Sequence, residues 1–238
     1  MISHALTDYD PLLIAASYLV AMLGAAVGLF AGQYVRDESG RLRLLWTIAA
    51  AIIIAGCMMW TAHFVGMLAY QPGVPVTFDL RMTWLSLLMP LIFAAIAVLI
   101  VTRHPHSHAV LVVGAVTMTM GLVALHYGGV AALRMPAEIV HRPFWVVVSI
   151  LLAFVTSTAA LFVTARVRGR PRYLAVPLMA LAVCAMHFTG MAGIDPRPTP
   201  DEVQYFEGAL TPGMLATVVL TATSTVILLG ILLGLAGH

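Results

Sequence analysis

The chain has 238 residues, of which 61% are hydrophobic and only 9% charged, with a formal net charge of +2. So little polar material cannot cover the core of a soluble protein of this length, which excludes an ordinary globular domain. The basic residues are all arginine and fall between long apolar runs, so the positive balance reports loop bias and not nucleic-acid binding.

The first residues carry Asp8 and Asp10 and lead into an apolar run at 11–35. That run is too long, and lacks the basic lead-in, for a cleaved signal peptide, so it reads as a retained helix. Further runs follow at 44–70, 82–102, 108–133, 144–166, 173–194 and 211–236. Each is long enough to cross a hydrocarbon core of roughly 30 Å as a helix. The expectation is an all-α membrane protein: seven transmembrane helices, built as three helical-hairpin repeats plus one final helix. They form a single domain over 1–238, with no soluble domain before, between or after the spans. Gly24, Gly28 and Gly32 on span one, and Gly230 and Gly234 on span seven, have the four-residue spacing of helix-packing devices. Pro90 and Pro177 are expected to kink spans three and six. Trp60, Trp84, Trp145 and Trp46 fall near span ends, as an interfacial belt would. The loop at about 195–210, with Asp195, Asp201, Glu202 and Glu207, reads as a solvated loop.

Orientation follows from the arginines. Arg36, Arg41, Arg43, Arg103, Arg166, Arg168, Arg170 and Arg172 follow spans one, three and five, whereas the other side holds Arg81, Arg134, Arg142 and Arg197. Eight against four in short loops puts the richer side in the cytoplasm, with the N-terminus outside and the C-terminus inside. Cys57 and Cys184 lie within spans and so suit no extracellular disulfide framework.

One repeat dominates. Spans two, four and six end with Ala62-His63-Phe64-Val65-Gly66-Met67, Leu125-His126-Tyr127-Gly128-Gly129-Val130 and Met186-His187-Phe188-Thr189-Gly190-Met191. The shared pattern is apolar residue, His, aromatic, any residue, Gly, then Met or Val. All three helices run the same way, so His63, His126 and His187 lie at similar depth, about seven to nine residues or roughly 10–14 Å below the outer ends. Ionisable groups at that depth are costly and by default mark function. A single such His is often a packing residue, but three in register point to a shared site. The glycine three residues after each His is expected to allow close helix approach.

The neighbours suggest which ligand. Met59, His63 and Met67 share one face of span two, and Cys184, His187 and Met191 share one of span six. Imidazole, thioether and thiol are the donors copper prefers, above all Cu(I). No Asp or Glu lies inside a span, so Zn²⁺ would stay buried without a counter-ion, and a hydrolytic zinc site would lack its general base. Asp195, just beyond span six, is the one substitute. The same absence argues against a proton-coupled transporter. Two alternatives stay open: a haem held by two of the histidines, with Arg81 or Arg134 near its propionates, and a copper transport or binding protein without signalling. His104, His106 and His108 form a loop run that reads mainly as solvated.

These motifs resemble the MHYT family of bacterial membrane sensor domains, named for a Met-His-Tyr-Thr signature that Met186-His187-Phe188-Thr189 matches best. The first copy has Ala62 for the signature Met, and the second has Leu125, Gly128 and Val130 for Met, Thr and the following Met. The histidine therefore carries over to all three copies, and the methionine after the glycine only to Met67 and Met191. The resemblance implies a multi-pass protein of the bacterial inner membrane that senses oxygen, carbon monoxide or nitric oxide through copper. It also implies a cytoplasmic output module, a cyclic-di-GMP enzyme or a kinase. The chain itself shows no catalytic constellation and is expected not to be an enzyme; a homodimer is compatible with the glycine spacings.

Overall fold

A computed structural model describes residues 9–167, 169–199 and 209–236. Seven helices in it are long and apolar enough to span a membrane: α1 (Pro11–Gly32), α2 (Leu44–Ala69), α3 (Leu80–Arg103), α4 (His108–Val130), α5 (Pro143–Arg166), α6 (Ala175–Ala192) and α7 (Pro212–Ala236). A short 3₁₀ turn, Arg170–Leu174, leads into α6. Local chemistry fixes the starts. Asp10 caps α1 by accepting from Leu12 and Leu13 N–H, with Pro11 at the first turn where no N–H is needed. Asp79 and Ser107 cap α3 and α4 in the same way.

Burial divides the helices by parity. The apolar windows of α2, α4 and α6 are 72%, 50% and 61% buried, against 33%, 22%, 22% and 11% for α1, α3, α5 and α7. The helices that carry the motifs therefore form the core, and each lies beside the preceding helix as the hairpin repeat requires. The odd helices present leucine, isoleucine and valine outward, as lipid contact demands.

α2 is not uniform. Its middle, Ile53–Thr61, is a nine-residue π-helix between α-helical ends at Leu44–Ile52 and Ala62–Ala69. Thr61 donates its hydroxyl to Gly56 O at 2.8 Å, five residues back, in keeping with the wider π-turn. Gly24 of α1 makes room for this segment: a β-carbon there would stand 2.5 Å from Met58 N.

At one end of the bundle the chain leaves the helices as short strands. β1 (Thr77–Asp79) lies between β2 (Leu133–Arg134) and β5 (Ala209–Leu210), and β3 (Ala137–His141) pairs antiparallel with β4 (Ile194–Pro198). Ion pairs Arg134–Asp79 at 3.5 Å and Arg142–Asp195 at 3.3 Å tie this cap together.

Several expectations are refined. Pro177 is the third residue of α6, inside the first turn, so it opens the helix instead of kinking it. Trp60 is 1% exposed, donates to Thr83 O at 3.0 Å and stacks on Trp84. Trp46 is buried against Tyr34. These two indoles are core, leaving Trp84 as an exposed ring of the expected belt. Asp195 sits in β4 with an ionic partner and not in a loose loop; Asp201, Glu202 and Glu207 lie outside the described residues.

Candidate metal centre

The three histidines meet. His63, His126 and His187 are 1%, 1% and 2% exposed, with ring centroids 4.8–5.5 Å apart and planes nearly perpendicular to one another. Their Nδ1 atoms turn inward: His187 Nδ1 lies 3.0 Å from His63 Nδ1 and 3.3 Å from His126 Nδ1. One ligand atom from each ring falls within 4.8 Å of the others.

The helices end four to six residues beyond the histidines, at Ala69, Val130 and Ala192. The trio is thus roughly 6–9 Å below the helix ends, shallower than the spans alone suggest. The reason is that 133–134 and 194–198 are strands, not a last helical turn.

Each ring is walled in by its own motif and by the next. Phe64, Tyr127 and Phe188 stand edge-on to the preceding histidine at 4.8–4.9 Å. Nε2 of His63 lies against Gly129, Nε2 of His126 against Gly190, and Nε2 of His187 against Gly66. A β-carbon at any of the three would come closer than 3.0 Å to that nitrogen. The expected role of these glycines, close helix approach, is therefore more specific: each accepts a neighbour's imidazole. Their shared offset in all three copies was the signal, but spacing along one helix cannot say whose ring it serves.

The other candidate ligands are distributed around the trio. Met67 and Met191 are buried in the same core, one helical turn towards the cap from His63 and His187. Met59 is buried one turn the other way, its methyl group within 3.4 Å of a β-carbon placed on Gly121. Cys184 Sγ lies 3.6 Å from Ser17 Oγ of α1. His108 packs edge-on against Phe162, and the loop histidines are not brought together as the trio is.

The donor set suits a cation. An Nδ1 carries one hydrogen or one lone pair, so His187 cannot make two ordinary hydrogen bonds to its neighbours at once. All three Nε2 atoms are buried without a hydrogen-bond partner. A cation bound by the lone pairs of the clustered ring nitrogens would resolve the conflict. A metal–nitrogen bond near 2.0–2.1 Å sets donors about 3.3–3.6 Å apart, against 3.0 and 3.3 Å for the two pairs that share His187.

The sequence comparisons agree with the geometry. The MHYT model, described as a bacterial signalling protein N terminal repeat, matches residues 56–114 and 120–176. The chain is 37% identical over 193 residues to the bifunctional diguanylate cyclase/cyclic di-GMP phosphodiesterase MucR of Pseudomonas aeruginosa, covering 79% of this chain. It is 33% identical over 224 residues to the cyclic di-GMP phosphodiesterase NbdA of the same organism, covering 90%. The chain belongs to the MHYT family. To the signaling protein YkoW of Bacillus subtilis it is 25% identical over 191 residues, 77% of the chain. It spans just over a quarter of MucR and NbdA, 28% of each. No solved structure matches. Seven apolar helices and MHYT membership make it a multi-pass protein of the bacterial inner membrane, and the MHYT membrane domain is not catalytic. Repeats one and two are the ones the family model matches; the third copy, with His187 and Gly190, completes the ring of histidines.

Proposed function

We propose that this chain is the sensing part of a membrane signalling protein, holding copper through His63, His126 and His187. The observation that carries the reading is that three buried imidazoles from three core helices meet, with His187 Nδ1 3.0 Å and 3.3 Å from the other two Nδ1 atoms, while no span holds a carboxylate. Met67 and Met191 are the proposed supplementary donors on the cap side and Met59 on the other. Cys184, with its thiol on Ser17, is the weakest member of the set. A monovalent soft ion suits neutral imidazoles and thioethers where a buried divalent ion would lack charge compensation. Copper so held supplies a centre that can change redox state or take up a diatomic molecule such as O2, CO or NO. The protein's own part is to exclude water, hold the rings edge-on and keep the site beneath the cap. Mutual contact of the three rings favours a single ion over haem, whose macrocycle needs a slot between two axial ligands.

The output is proposed from the relatives: MucR and NbdA are named as cyclic di-GMP enzymes, so a module of that kind, or a kinase, would follow α7. Such a module belongs in the cytoplasm, on the arginine-rich side of the bundle. A short polar contact links that helix to the motif helix α2. Thr61 Oγ1, two residues before His63, lies 2.6 Å from Thr223 Oγ1 of α7. A ligand shifts α7 only by favouring one of two helix arrangements, and the π-segment beside this contact is the element suited to having two.

The test is an infrared spectrum of the Cu(I)-loaded protein under carbon monoxide. A C–O band that shifts with ¹³CO, and is missing from the His187→Ala variant, is the expected result. A copper-loaded protein with no such band would remove diatomic sensing and leave a copper-binding protein.

A further inference from the structure

The glycines of the three motifs form a closed cycle. The first repeat's histidine rests on the second repeat's glycine (His63 on Gly129), the second's on the third's (His126 on Gly190), and the third's on the first's (His187 on Gly66). In each case the atom against the glycine is Nε2, and the atom facing the other rings is Nδ1. A methyl group at any seat would displace the ring by its far edge and carry Nδ1 away from the centre. Gly128, beside Gly129, is different: a β-carbon there would meet nothing nearer than Ser86 at 3.8 Å, which is ordinary contact.

We infer that Gly66, Gly129 and Gly190 are positioning residues, each seating the imidazole of another repeat so that the three Nδ1 atoms converge. Two consequences separate this from a general packing role. The glycine serves a histidine on a different helix, not the one three residues before it. The cycle also closes only with all three hairpins, because each pair of repeats leaves one histidine without its seat.

Steric rescue tests the pairing without any metal. Gly129→Ala should lower the thermal unfolding temperature of the detergent-solubilised, metal-free protein or reduce its folded yield. Adding His63→Ala should restore both to the level of His63→Ala alone, because the colliding ring is gone. Adding His126→Ala, from the same helix as Gly129, should give no recovery, and Gly128→Ala should be silent. The corresponding rescues are Gly190→Ala by His126→Ala and Gly66→Ala by His187→Ala. A second arm, which rests on the copper reading, titrates Cu(I) against a competing chelator. There Gly129→Ala should weaken binding at least tenfold while Gly128→Ala leaves it unchanged. A Gly129→Ala protein as stable as Gly128→Ala, or one rescued equally by either histidine removal, or a double variant no better than Gly129→Ala, would overturn the seating. A wild-type protein that binds no Cu(I) yet shows the paired rescue would defeat the copper reading alone.

Discussion

Gly24 and Gly32 carry the same residue in the same four-residue series and meet different surroundings. A β-carbon on Gly24 would collide with the backbone of Met58, whereas nothing lies within 4 Å of one on Gly32. Gly24→Ala should therefore cost about 1–3 kcal/mol, because backbone must move. Gly32→Ala should be near neutral, and comparing the two by thermal unfolding checks both. Equal losses would show that the series packs as a unit. The periodicity was readable in the sequence, but which members touch a neighbour depends on how α1 and α2 cross. The same limit applies to the candidate ligands. Residue type and depth single out His63, His126 and His187 as a group, and the structure brings them together, because three copies at one depth constrain each other. They do not reveal that Cys184 has Ser17 within hydrogen-bonding distance, since that contact spans helices far apart in sequence.

At the scale of elements, the apolar runs mark the helices closely because each must span a hydrocarbon layer. α1, for example, starts at Pro11 and ends three residues before the expected boundary. Two features were not legible. The five cap strands among the described residues are two to five residues long and are defined by partners from distant loops. The π-segment of α2 has no sequence period of its own and depends on the close fit of α1 and the Thr61 back-bond. Thr61–Thr223 is the side chain to side chain polar contact of that segment with α7, beside a weaker one from Cys57 Sγ to Thr223 O at 3.9 Å. Thr223→Val should lower stability by about 0.6 kcal/mol, the typical value for a hydrogen bond between membrane helices. Copper content should stay unchanged, and in a protein joined to its output module the response to the ligand should weaken. An unaltered response would remove this contact from the proposed coupling.

For the whole molecule, the parity of burial follows from the motifs: the helices that hold histidines must face inward, so the alternate helices meet lipid. Which end faces out rests on the arginine bias. Cysteine labelling with a membrane-impermeant maleimide checks it. Val74→Cys, at the cap end, should be labelled in intact spheroplasts, and Ser39→Cys, between α1 and α2, only after lysis; the reverse pattern would invert the topology.

The measurement that bears most directly on the centre is the metal content of the protein purified from copper-supplied cells, beside a His63→Ala, His126→Ala, His187→Ala variant. Near-stoichiometric copper in the first, and its loss from a still-folded variant, is the predicted result. Absence of copper from the wild type, even after anaerobic Cu(I) reconstitution, would contradict the account and leave three histidines that hold helices together.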